Sequence, residues 1–150
     1  GTLIIREIST GNGNISLEAQ SGIVNINDAS IIKGNLIQLY TPYGKIGTSS
    51  ASPLKIQNSA GAASGTRISA LAQGDIYLNC IEGDLRVINI ISQTGDLHIQ
   101  VLGNECSLLD DNQDNFAGNS QLLNLWDAYF GGANNCQRPR NICILGINAV

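Results

Sequence analysis

From Gln73 to Val101 apolar and polar residues alternate in short runs, and each run is opened by a glycine and an aspartate. Ile76, Leu78 and Cys80 fall on one side of an extended backbone, with Tyr77 and Asn79 on the other. Leu85 and Val87 stand opposite Arg86, and Leu97, Ile99 and Val101 stand opposite His98 and Gln100. A period of two predicts strands with one buried face and one wet face. The phrases Gly74-Asp75, Gly83-Asp84 and Gly95-Asp96 predict the turns between them. Glycine reaches positive φ at no steric cost, and aspartate bonds backbone close by.

The same rhythm occurs earlier. Gly13, Gly22 and Gly34 are spaced nine and twelve residues apart, as are Gly74, Gly83 and Gly95. A shift of 61 residues sets Gly13 on Gly74, Ile15 on Ile76, Leu17 on Leu78 and Ala19 on Cys80. It also sets Val24 on Leu85, Ile26 on Val87 and Leu36 on Leu97. Inward positions match inward positions, which identifies an internal repeat. The outward positions Ser16, Asn25, Asn27, Tyr77, Asn79 and Arg86 are polar or amphipathic.

Nine plus twelve residues is the size of one rung of a parallel β-solenoid. A single rung cannot bury its inward face, whereas stacked rungs join into one aliphatic column. The predicted fold is therefore all-β, a right-handed parallel β-helix over residues 1–105. An antiparallel sandwich also produces regular short strands, but the matched glycines favour the solenoid. Residues 53–56 and 67–71 predict two further strands, and 57–65 a surface loop between them.

Beyond Val101 the pattern changes. Residues 106–118 form an acidic, asparagine-rich loop, and Leu122, Leu123, Leu125, Trp126, Tyr129 and Phe130 follow at helical spacing. Asn119 or Ser120 serves as N-cap and Gly131-Gly132 as the stop, so a helix over 119–131 is expected to cap or flank the column. The tail 132–150 ends in an apolar strand over 142–150, and residues 1–8 form another. Strand material at both termini suits addition to neighbouring rungs, either of the same chain or of other copies. Leu3, Ile4, Ile5, Ile142, Ile144, Leu145 and Ile147 are the candidate assembly residues.

Composition narrows the partners. Charged residues make up 13% and aromatics 5%, which suits a narrow aliphatic core. A net charge of -4 leaves no basic footprint for nucleic acid, and no apolar run reaches the length of a membrane span. Gly1 with no signal-like segment after it is expected of a processed, excised or expressed piece of a longer chain.

Gly74-Asp75-Ile76-Tyr77-Leu78 resembles the repeats of very large secreted bacterial exoproteins, the filamentous-haemagglutinin-like adhesins. "GKIGTSSASPLKIQ", residues 44–57, is similar to another phrase of that family: an Ile-Gly-Thr turn, a small-residue spacer, then Pro-Leu-x-Ile. The resemblance covers about two thirds of the chain. It implies a parallel β-helix, secretion, and adhesive or scaffolding work at the cell surface. The four cysteines and the tail beyond Gly131 depart from the family's habit.

Chemistry-bearing residues are few. Asp110, Asn112 and Asp114 alternate as in a calcium loop, with Gln121 where a bidentate glutamate belongs. They are candidate calcium ligands, and an acidic turn beside a helix N-terminus is the structural alternative. Cys136 and Cys143 bracket a short loop, and Cys106 is an equal partner for either, so the disulfide connectivity stays open. Cys80 follows the inward pattern and reads as a core residue. His98 reads as a solvated outward residue. A polysaccharide-cleaving solenoid enzyme needs acidic or basic groups converging in an outward groove, whereas the outward positions are mostly Ser, Asn, Tyr, Arg and Gln. The expected function is a non-catalytic rung block of an extracellular fibre or giant adhesin that stacks on copies of itself or on neighbouring repeats. The alternative is an adhesin module binding glycan or protein through residues 43–65 or the outward face.

Overall fold

A computed structural model describes residues 1–58, 65–102, 107–110 and 144–145. Among them every regular element is a strand, and all strand pairings are parallel. The first turn of the coil holds β1 (Thr2–Ile5), β2 (Glu7–Ser9) and β3 (Asn14–Glu18). The second holds β4 (Gly22–Asn25), β5 (Ile31–Gly34) and β6 (Leu36–Thr41). The third holds β7 (Lys45–Ile46), β8 (Leu54–Asn58) and β9 (Thr66–Ala72), and the fourth β10 (Ile76–Glu82) and β11 (Leu85–Ser92). β12 (Leu97–Val101), β13 (Leu108–Asp110) and β14 (Ile144–Leu145) lie on top. The chain is an all-β parallel solenoid of about four turns.

Three faces result. β1, β4, β7, the start of β10 and β12 stack on the first, and β2, β5, β8 and the rest of β10 on the second. β3, β6, β9, β11 and then β13 and β14 stack on the third. The core is a set of in-register ladders. Ile23, Ile46, Ile76 and Leu97 line the first face, and Ile8, Ile32, Ile56 and Cys80 the second. Ile15, Ile37, Ile68 and Val87 line the third. From the second turn onward these side chains are fully buried, each worth roughly 1.5–3 kcal/mol of transfer free energy.

The rung length matches expectation, but the 61-residue correspondence is not the stacking period. Partners lie 24 residues apart on the second face, where Glu7 meets Ile31 and Ile31 meets Lys55. They lie 21 apart where Ile76 meets Leu97. Ile15 belongs to the third face and Ile76 to the first, so the shift compares rungs at different corners. The inserted stretch between β8 and β9 stretches the third turn and breaks any uniform count.

The shift also misassigns one group of side chains. In β4 the inward residue is Ile23, while Val24 is half-buried and Ile26 is 60% exposed. In β6 it is Ile37, with Leu36 half-buried outside. A one-residue slip along a strand exchanges its two faces.

No helix occurs among the described residues. The segment 119–131 expected to be helical lies outside them, as does most of 106–118 and of 132–150.

Candidate stacking surface

Each rung must turn three corners, and at each one its backbone groups meet the rung below. The Gly-Asp phrases are built for this contact. Asp75 Oδ1 accepts from the Asp96 backbone N–H at 2.8 Å, and Asp84 Oδ1 accepts from that of Ser107 at 2.7 Å. Asp75 and Asp84 thus each bond the backbone of the next rung. The glycines serve close approach as much as left-handed backbone. Gly83 has φ 74°, as expected. Gly95 has no positive φ and is glycine for another reason: a Cβ there would collide with the backbone of Asp75.

Hydroxyls and one asparagine extend the network. Ser30 Oγ donates to the Ile5 carbonyl at 2.8 Å, Thr66 Oγ1 to that of Gly34 at 2.9 Å, and Ser92 Oγ to that of Gly74 at 2.9 Å. Asn25 falls among the outward polar positions of the alternation, yet it is buried. Its Oδ1 accepts from Thr48 N at 3.0 Å and from Thr48 Oγ1 at 2.9 Å, and its Nδ2 donates to Ser52 Oγ at 2.9 Å. It staples the second turn to the third. Sequence reasoning missed this role, because the strand alternation says nothing of what a corner residue meets one rung away. Thr48 in the Ile-Gly-Thr phrase was the available signal.

Tyr77 lies on the outer side of the first face, in register with His98. Its hydroxyl donates to Asp75 Oδ2 at 2.9 Å. That bond, with smaller effects of desolvation and of the Asp75 and Asp96 charges, pushes the phenol above its ordinary range.

The two ends of the column differ from its middle. Leu3, Ile8 and Leu17 point inward in the first turn and are only half-buried. Their counterparts one turn up, Ile23, Ile32 and Leu39, are completely buried. At the other end Ile99 and Val101 are half-buried, and Leu108, which continues the ladder of Leu85, is 39% exposed. Among the described residues β1, β2 and β3 are each paired along one edge only, as are β12, β13 and β14. Unpaired parallel edges around an open aliphatic core form a surface on which another rung fits.

Of the candidate assembly residues, Ile5 is buried and Ile4 is 61% exposed on the outside of β1. Ile144 and Leu145 pair with Ile90 and Ile91 of β11 within the chain, and Ile142 and Ile147 lie outside the described residues. Asp110 ends β13 beside Val87, while Asn112, Asp114 and Gln121 lie outside the described residues. So do Cys106, Cys136 and Cys143. Cys80 is fully buried, as its inward position predicts, with its Sγ 3.4 Å from the Gly83 carbonyl oxygen. Within 43–65, two stretches are the strands β7 and β8, and Tyr43 is 59% exposed before them. Compared with protein-family models, curated proteins and solved structures, the chain matches none.

Proposed function

We propose that this chain is a structural, non-catalytic building unit of an extracellular bacterial surface fibre or giant adhesin, joined rung on rung to its neighbours. The observation that carries the reading is the first turn, where Leu3, Ile8 and Leu17 are only half-buried and β1, β2 and β3 each keep an edge that is unpaired among the described residues. A parallel coil has a different surface at each end, so contact between copies is head-to-tail and does not close. Repetition of that contact makes a fibre. The same geometry serves a giant chain in which the neighbouring rungs are covalently continuous.

Extracellular location and the adhesive role rest on the Gly-Asp-Ile-x-Leu phrases and their resemblance to secreted exoproteins. The coil is taken as right-handed, as parallel crossovers nearly always are. A helix over 119–131 as cap or flank, calcium at the acidic loop and a disulfide among Cys106, Cys136 and Cys143 complete the proposal.

Negative-stain electron microscopy at neutral pH with calcium tests it. Uniform fibres that disappear when residues 1–9 are deleted are the expected result. Single short rods at every concentration would remove self-assembly of this chain. In that case the ligand-binding reading, through exposed Tyr43 and its neighbours, takes precedence.

A further inference from the structure

The third face carries a second apolar row, on the side away from the core. Tyr40, Leu71 and Ile91 are register partners on β6, β9 and β11. Inward residues alternate with them: Leu39, Ala70 and Ile90 belong to the aliphatic core, whereas Tyr40, Leu71 and Ile91 do not. An outer face of a solenoid should be wet, yet these three are 2%, 0% and 2% exposed. The neighbouring outward residues Ser69 and Asn89 are equally buried, and Ser69 Oγ donates to Asn89 Oδ1. On β3, the next strand of the same sheet, Ser16 and Glu18 are exposed. The outer face is therefore dry over β6, β9 and β11 and wet at β3. All strands among the described residues belong to the coil itself, so none of them accounts for the dryness.

We propose that the segment 111–143 docks on this outer face and covers the Tyr40–Leu71–Ile91 row. Its two ends are fixed on one strand. The chain leaves at Asp110, paired with Val87 of β11, and returns at Ile144, paired with Ile90 of β11. Thirty-three residues thus begin and end beside the strand that carries Ile91. Leu145 lies in register with Ile91, which brings the returning chain directly to the end of the row. The segment also supplies matching surface, since it contains Leu122, Leu123, Leu125, Trp126, Tyr129 and Phe130. A column of three large side chains needs apolar material of that kind to stay dry. The docking places the segment on the flank of the coil, not across its open end. It holds whether or not units stack into fibres.

Trp126, the only tryptophan, reports on the proposal directly. In the intact chain its emission is expected to be blue-shifted and to resist acrylamide quenching. Leu71→Lys, with β-sheet circular dichroism retained, shifts the emission to the red and raises the quenching slope several-fold, while Ser16→Lys on the exposed part of the same sheet changes neither. A solvent-exposed Trp126 in the unmodified chain overturns the proposal without any variant, which covers the case where Leu71→Lys fails to fold. An emission maximum that moves with protein concentration overturns it too, because a second copy would then be the cover. Fibre formation is a separate readout, so loss of one reading leaves the other intact.

Discussion

The first turn of the coil and the material at its opposite end are built from different lengths of chain. Residues 2–18 supply all three strands of the first turn in one short continuous run. At the far end the strands come from 97–101, 108–110 and 144–145, the last arriving after a long excursion. Both ends leave inward side chains half-exposed, but only the first turn presents three contiguous edges as a unit. A local run orders itself with little loop closure, whereas a strand returned from far away must first pay that entropy. The N-terminal end is accordingly the better-formed stacking surface, and the other end depends on where its tail goes.

The comparison is broken most severely by emptying the column. Ile32→Ala, in the fully buried second turn, is expected to cost about 2–5 kcal/mol in urea unfolding, because a cavity stays behind. Leu17→Ala, at the half-buried first turn, is expected to cost on the order of 1 kcal/mol, since less surface leaves water. Equal losses would mean that the first turn is covered in solution, and a dependence of Leu17→Ala on protein concentration would identify the cover as another copy.

Substitution of glycine separates corners that are stacked from those that are not. Gly95→Ala forces a Cβ into the Asp75 backbone and is expected to destabilise by about 1–3 kcal/mol in thermal unfolding. Gly11→Ala meets nothing within 4 Å and is expected to be neutral or slightly stabilising.

Asp84→Ala is a gentler probe of the far end. It removes the acceptor for Ser107 N–H, so hydrogen exchange at 108–110 should accelerate while the first turn is unaffected. Acceleration spread evenly over both ends would deny that they are independent.

The smallest effect is set by pH. The folded chain holds the Tyr77 proton more tightly than the unfolded chain, chiefly through the bond to Asp75. Its contribution is therefore fully present below the ordinary tyrosine value of about 10 and is lost as pH rises through the elevated folded value. Tyr77→Phe should flatten part of the alkaline decline in melting temperature, and an unchanged alkaline slope would dismiss the bond as a stabilising one.

Ile76, Leu78, Cys80, Leu85, Val87 and Leu97 were legible as core from alternation alone, and all are buried. Alternation is a property of the strand itself, so no neighbour need be known to read it. Val24, Ile26 and Leu36 went astray because the 61-residue comparison assumed corners of equal length. The third turn, with its added residues between β8 and β9, does not have them. Asn25 and the Tyr40–Leu71–Ile91 row were hidden for a related reason. Their burial depends on what lies one rung away or over the outer face, and no local pattern records either.

Strand period, corner residues and a rung of about twenty residues were written in the chain, since each follows from backbone sterics and side-chain polarity within a few positions. Which strand lies on which face, whether Asn25 is dry, and which strand edges are unpaired among the described residues were decided only by stacking. Register brings together residues 19–31 positions apart, and through β14 residues 54 apart. Contacts at such distances are set by loop lengths and packing in three dimensions, for which a one-dimensional alternation carries no ruler.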